Sequence, residues 1–473
     1  MDLRDFIDLL QSEGELAVVE AQVDPHLEIS EIADRASKAA GPAILFRSAR
    51  GSGLPVLMNQ FGSIRRLELA FGAPLDEVAQ RVAKLVDLQV PSQLAGKVSA
   101  PEAFSDLGSF APTLVERGLA DVVVMPPDLA RLPVLTAWPG DGGPFITLPV
   151  VVTRDRDGRR NAGMYRLQVF DAQTTGMHWH KHHDGAVNFR DSDGRLEVAV
   201  ALGTDPLVTY AATAPLPAGI DEFAFAGFLR GAPVKLAPCE TVALDVPADA
   251  EIVLEGYVER GEERDEGPFG DHTGCYSRVG RYPVLHLTAM RHRRDAIYPA
   301  TIAGRPPMED CFLGKATERL FLPLLRLALP EIVDLELPVE GVFQDCAILS
   351  IRKSYAGHAF KVMDAVWGMR QMMLTKFLVV LDEQVDVHDP HEVAWRVFNN
   401  VSPERDCVTV RGPLDALDHS SPYAAFGAKM GIDATRTWPE EGHLREWPDA
   451  LEMDPSVVAR VTARWREFGL PFS

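Results

Sequence analysis

A chain of 473 residues, 46% of them hydrophobic, can bury large cores and should divide into two or three domains. Its 47 basic against 68 acidic residues leave a net charge of -21, which disfavours nonspecific binding to nucleic acid and anionic membranes and favours a small-molecule enzyme or an acidic scaffold. Five scattered cysteines without a CxxC pair argue against a zinc ribbon or disulfide framework. The acidic amino terminus and the lack of an apolar run near the roughly 20 residues of a membrane span give the expectation of a cytoplasmic protein.

In chain order, "LRDFIDLLQSEG" has apolar residues at helical spacing and stops at Gly14. "ELAVVEAQV" follows as a strand, and a second helix starts near Glu28. The proline- and glycine-dense stretch from Met125 to Phe145 predicts a loop or domain junction. From "LPVVVTRD" through "MYRLQVFD", "LEVAVALG", "ETVALDVP", "AEIVLEGYVE" and "YPVLHLTAMRH", short β-branched runs recur between turns, as in a sheet-rich or barrel-like domain. Within it, "DEFAFAGFLRG", Asp221 to Gly231, has the spacing of one helix. After "TIAGRPPMED" helices and strands alternate, so the last part should be α/β, and the acidic, Trp-bearing end should wrap the surface or a partner subunit.

Three stretches could carry chemistry. In "NAGMYRLQVF", Asn161 and Arg166 are five residues apart, on opposite faces of a regular strand, so a bulge is needed for both to face one pocket. In "GMHWHKHHDGA", alternation puts His178, His180 and His182 on one face of a strand, suited to a metal or an anion, with Asn161 and Glu222 as oxygen donors for a hard cation such as Mn²⁺ or Mg²⁺. In "DEGPFGDHTG", Glu266 and Asp271 flank a stiff, glycine-rich turn. Carboxylates brought together in a closed pocket cannot both ionise easily, so one beside an arginine can pair while the other carries a proton; the bland alternative is a solvated acidic turn. Lysines in "LTKFLVV" and "GAKMGIDAT" suit phosphate or plain solvation. No GxGxxG, P-loop, nucleophile elbow or HExxH pattern occurs, and the residues alone do not name a reaction.

Taken together, "NAGMYR", "MHWHKHHDGA", "ATAPLPAGIDEFAFAGFLRG" and "EGPFGDHTG" resemble the UbiD family of reversible, non-oxidative decarboxylases that use prenylated FMN. The likeness runs through "IAGRPPMED", "SYAGHAFKVMDAVWG", "TKFLVVLDEQVDVHD" and "KMGIDATRTWPEE", and looks more like the menaquinone-biosynthesis branch than the polyprenyl-hydroxybenzoate branch. It implies an α/β (α+β multidomain) fold with an N-terminal α/β region over 1–120, a split-barrel cofactor domain over 121–310, and a C-terminal α/β oligomerisation domain over 311–473. Asn161, His182 and Glu222 fall at the family's metal-ligand positions, implying Mn²⁺ or Mg²⁺ between protein and cofactor phosphate, with K⁺ as a further candidate. Met164, Tyr165, Arg166, His178, Trp179, His180, His183, Asp184, Ala214 and Pro215 fall in segments that line the prenylated flavin, and Lys376 falls at a phosphate-contacting position. Arg166, Glu266 and Asp271 match the catalytic ion-pair network, with Asp271 as proton donor.

The implied reaction is loss of CO₂ from a hydroxylated naphthoate or benzoate, with or without a prenyl tail, in menaquinone or ubiquinone biosynthesis. The electron pair left on the ring needs a cofactor as its sink. Asp271, in place of the glutamate of cinnamate-type relatives, favours a hydroxylated ring. The resemblance also implies a flavin prenyltransferase of the UbiX type as cofactor supplier, a homo-oligomer (dimer or hexamer), and peripheral membrane association if the substrate is prenylated. The rivals are a catabolic decarboxylase of a small hydroxybenzoate or heteroaromatic acid, a flavin-free hydrolase or oxygenase using the histidine cluster, and a noncatalytic flavin-binding homologue.

Overall fold

The computed structural model describes residues 1–87, 105–180, 183–217, 219–369, 372–449 and 451–470. The first helix, Leu3–Ser12, is capped by the Asp2 side chain in a box with Asp5, and its apolar stripe of Leu3, Phe6, Ile7 and Leu10 is buried. Strands Leu16–Val23, Ala43–Ala49 and Val56–Met58 follow, with helix Glu28–Lys38 after the first of them. Their sheet is completed by Tyr298–Pro299, which arrives from the far end of the central region and pairs in parallel with Val56–Met58.

The central sheet runs in the order Thr174–Gly176, Gly280–His292, Ile252–Glu266, Arg195–Leu202, Val150–Arg154, Arg160–Met164, with Val122–Val124 also on Gly280–His292. Every neighbouring pair is antiparallel. One core takes Val150, Val152, Ala199, Ala201 and Val253 from it; the opposite core takes Val151, Val198, Val200, Leu202, Ile252 and Leu254. Both faces are therefore dry, which is why these strands read as apolar runs and not as clean alternation. Helix Glu222–Arg230 lies where "DEFAFAGFLRG" predicts it, opened by an Asp221 cap and closed by Gly231 in the left-handed region.

A long helix, Glu309–Ala328, leads into the C-terminal sheet and packs against helices Ile64–Phe71 and Leu75–Asp87. That sheet runs Ile332–Glu336, Cys346–Ile351, Phe377–Asp382, Phe426–Asp433, Cys407–Pro413, with its three middle strands parallel. Ala347, Leu349, Leu378 and Val380 face helix His358–Trp367, while Ile348, Val379 and Leu381 face Val393 of helix Pro390–Asn400, giving the α/β layering. Among the described residues no helix is long and apolar enough to cross a membrane. Of the tail, Glu441 binds Lys353 and the Gly357 amide, but Leu444, Leu451 and Met453 stay exposed.

Glu251, fully buried, ties the first helix to the central sheet. It accepts from Arg4 at 2.8 and 3.0 Å and from the Ile297 amide at 3.0 Å, and pairs with Arg293 at 3.2 Å. Glu251→Ala leaves two arginines without their shared anion and should lower stability by about 3 kcal/mol, read as an earlier denaturant midpoint.

Candidate active site

Strand Arg160–Met164 stops before Tyr165 and Arg166, and a new strand, Leu167–Gln168, begins beyond them. This break does the work the sequence assigned to a bulge: Asn161 stays on the sheet while Arg166 turns to the acid pair. Arg166 Nε donates to Glu266 Oε1 at 3.0 Å and Nη1 to Asp271 Oδ2 at 2.6 Å, while Nη2 reaches Ser277 Oγ at 3.2 Å. The guanidinium lies over the Phe269 ring, 4.4 Å from its centroid. Glu266 is completely buried and Asp271 is 7% exposed, so the solvated-turn alternative for this stretch fails.

The turn that carries the two acids is clamped from the region expected to be only a loop or junction. Asp141 accepts from the Gly270 amide at 2.8 Å with one oxygen and from the Ala137 and Trp138 amides with the other. Gln168 accepts from the Gly267 amide and donates to the Gly142 carbonyl, both at 2.8 Å. Gly267 has φ +97°, outside the range of ordinary side chains, and a Cβ on Gly270 would fall 2.1 Å from Trp138 Cδ1. The glycines thus let the turn bend and press flat against Trp138.

Burial alone would raise both carboxyls. For Glu266 this is outweighed by the hydrogen bond from His178 and the charge of Arg166, leaving it below the usual carboxylate range. Asp271 is driven far lower, because burial is overcome by the hydrogen bond and charge of His272 and then by Arg166. His272 Nδ1 lies 3.0 Å from Asp271 Oδ1.

Residues 177–180, which carry His178 and His180, do not form a strand. The chain leaves the sheet after Gly176 and closes tight turns, Trp179 N to Met177 O and His183 N to His180 O, before helix Asp184–Asp191. Alternation therefore does not hold, and the rings meet by folding back on one another. His178 Nδ1 lies 3.0 Å from Glu266 Oε2 and its Nε2 lies 3.0 Å from His180 Nε2. Burial lowers both, His180 to about 4 with the help of His178, so both are neutral at pH 7. With His178 donating to Glu266, its Nε2 is bare and receives the His180 Nε2 proton. His183 Nδ1 accepts from the His180 amide at 3.1 Å.

A second group forms behind these rings. Glu222, the first residue of its helix, accepts from Asn161 Nδ2 at 3.2 Å and the Ala162 amide at 3.0 Å, and the Tyr165 hydroxyl donates to Asn161 Oδ1 at 3.4 Å. Tyr165 also packs edge-on against Trp179 and over His183. Glu222 is pushed up to about 7 by burial and by its acidic neighbours Asp221 and Asp184; Asp221 is already taken by Arg160 at 2.7 Å. A buried carboxylate beside an amide oxygen, short of positive charge, fits a hard divalent cation. His182 lies outside the described residues. The buried Trp179 Nε1 finds no acceptor among the described residues, which suits an acceptor-rich ligand.

Met164 and Pro215 open onto an apolar cleft of about 660 Å³ between the central sheet and the long helix, also lined by Thr317, Phe321, Phe343 and Met369. Ala214 instead packs on the core. Lys376 stands apart from both groups: it donates to Asp418 at 2.6 Å and Ser420 at 2.8 Å. The other lysine considered, Lys429, is not solvated. It is 3% exposed, donates to the Met373 carbonyl, and is lowered to about 8 by burial. Another acidic group, Glu318, Glu336 and His388, has the spacing of metal ligands but is already bridged by Lys315.

Sequence reasoning missed Asp141, Gln168, Ser277 and His272. His272 adjoins Asp271 in "DEGPFGDHTG" and Gln168 follows Arg166 by two residues in "NAGMYRLQVF", so both had a usable signal; Asp141 and Ser277 act through the fold and leave no local pattern.

Known proteins match the chain throughout. The family models described as the 3-octaprenyl-4-hydroxybenzoate carboxy-lyase N-terminal, Rift-related and C-terminal domains match residues 7–86, 115–306 and 311–434. An uncharacterized protein of Archaeoglobus fulgidus is 50% identical over 473 residues, 98% of each chain. Among solved structures, the UbiD-class enzyme HmfF from Pelotomaculum thermopropionicum in complex with FMN is 30% identical, covers 98% of this chain and 100% of its own, and has a TM-score of 0.81. Sedimentibacter hydroxybenzoicus vanillic acid decarboxylase in its closed form is 27% identical over 99% of this chain and 98% of its own, with a TM-score of 0.83. With the three domains matched in order and a half-identical relative aligned from end to end, the chain belongs to the UbiD family of carboxy-lyases.

Proposed function

We propose that the chain removes CO₂, reversibly and without net oxidation, from a hydroxylated aromatic carboxylic acid, with prenylated FMN as cofactor. The observation that carries this is Arg166 held between two water-excluded carboxylates, Glu266 and Asp271, near an apolar cleft with room for one or two rings. Prenylated flavin, when bound, supplies the electron sink that no side chain offers. Tyr165, His178, Trp179, His180 and His183 would border it. Asn161 and Glu222, with His182, would hold Mn²⁺ or Mg²⁺ against its phosphate, and Lys376 would reach a phosphate by exchanging Asp418 for it.

The chain's own groups divide the remaining work. Arg166 keeps Glu266 ionised and positions the acid pair, and the neutral His178 and His180 carry that order back from Glu266 without adding charge. Asp271 delivers the proton that replaces CO₂ on the ring. The apolar walls exclude water, and Thr317 and Phe321 set how wide a ring system can enter.

The preferred substrate is a hydroxylated naphthoate or benzoate of quinone biosynthesis, supported by the apolar lining of the cleft. The second reading, a catabolic decarboxylase of a small hydroxybenzoate, is favoured by likeness to the vanillic acid decarboxylase. Co-expression with a flavin prenyltransferase and a CO₂-release screen over aromatic acids tests both. Turnover without flavin would reject the proposal.

Three outcomes are expected. Glu266→Gln and Asp271→Asn should each retain flavin and lose about 10²–10⁴-fold in CO₂ release; full activity in both would exclude the acid-pair mechanism. Glu222→Gln should lower the Mn²⁺ content of purified protein measured by plasma mass spectrometry, with flavin content falling alongside. Thr317→Phe should raise KM for a hydroxynaphthoate more than for a hydroxybenzoate, and an equal effect on both would place ring recognition elsewhere.

A further inference from the structure

Asp271 is ionised in the resting protein, yet the proposed reaction asks it to give up a proton, so another group must hold that proton first. His272 is placed to do so. Its side chain is 17% exposed, Nδ1 is 3.0 Å from Asp271 Oδ1, and the same oxygen accepts from the His272 backbone amide at 2.9 Å. The ring rests on Phe343, with centroids 5.3 Å apart, and Nε2 lies 3.2 Å from Gln344 Nε2.

The charged groups around this imidazole come from four parts of the fold. Asp271 faces it from its own turn and Arg166 lies beyond Asp271. Asp310 acts from the first turn of the long helix, and Asp345 and Asp415 from the C-terminal half. The carboxylates favour the imidazolium and outnumber the one cation, Arg166, that opposes it. Asp310 is itself pushed up to about 6 by burial, and its Oδ1 has no partner among the described residues, so part of this field is held back at acidic pH. Gln344 can serve Nε2 in each state: once the amide turns over, its oxygen accepts from Nε2–H of the charged ring and of the neutral ring left after Nδ1 gives up its proton, while its NH₂ donates only to the tautomer protonated at Nδ1.

We propose that His272 is the positioning residue that stores the proton Asp271 delivers, and that contacts from both halves of the molecule hold it in that role. This rests on the reading of Asp271 as the proton donor. The proton passes from His272 Nδ1 to Asp271 Oδ1, and from Asp271 to the ring carbon that has lost CO₂. The ring is left neutral, with Nε2 facing Gln344, and water recharges it. No oxidant or reductant is needed.

The sign of the pH dependence follows. His272 has burial working against its charge, but the hydrogen bond and charge of Asp271 raise it above the ordinary histidine value of 6.5. The proton store is full below that raised value and empties as pH rises through it. The test is His272→Gln, which keeps a donor towards Asp271 without a titrating proton. CO₂ release from the flavin-loaded variant should fall by about 10²-fold and lose the wild-type decline on the alkaline side.

Nitrogen-15 NMR of the flavin-free full chain supplies a readout independent of turnover. The His272 signal, identified by its loss in the variant, should report an imidazolium at pH 6.5 in wild type and a lower pKa in Asp271→Asn. A variant with wild-type rate and pH profile, or a neutral His272 at pH 6.5 in wild type, would overturn the proposal while leaving Asp271 as donor. Full turnover by Asp271→Asn would instead reject the donor assignment on which it rests.

Discussion

Two carboxylates and one guanidinium, nearly shut off from water, define this molecule. Arg166 contacts both Glu266 and Asp271, and without it two buried anions would face each other in a medium too poor to screen them. With His272 charged, two positive groups balance two negative ones, while His178 and His180 stay neutral. The group tolerates burial because almost every lone pair and proton in it is matched, so its geometry is fixed before any ligand arrives.

That geometry depends on parts far apart in the chain. Glu266 ends a fifteen-residue strand whose root lies in two cores, and the following turn is held by Asp141 and Gln168, more than ninety residues earlier. The break after Met164 swings Arg166 out of the sheet. The long helix closes the cleft, and the C-terminal half reaches over it through Phe343 and Gln344 to touch His272. Both halves of the molecule therefore meet at the acid pair.

Much of this was legible in the residues. The helix from Asp221 to Gly231 announces both its caps, and the β-branched runs give most strands of the central sheet, because local hydrogen bonding and burial decide those elements. "DEGPFGDHTG" was recognisable as a site since its backbone suits no regular element. The histidine run misled because period-two spacing matters only where a ladder continues, and here the ladder ends at Gly176. Lys429 looked solvated because sequence does not reveal that the distant Met373 carbonyl receives its ammonium. Asp141 was invisible for a similar reason: a lone aspartate in a Pro/Gly stretch gains meaning only from amides brought to it across the fold.

The edge strand Tyr298–Pro299 bears on how the molecule is made. The sheet begun by Leu16–Val23 lacks its last member until the ribosome has added nearly three hundred residues, and Glu251 and Asp295, which anchor Arg4, emerge almost as late. The amino-terminal sheet therefore cannot reach its full width until most of the central region has been made, and only then do Ile44, Phe46, Val56 and Met58 meet all the partners of their shared core.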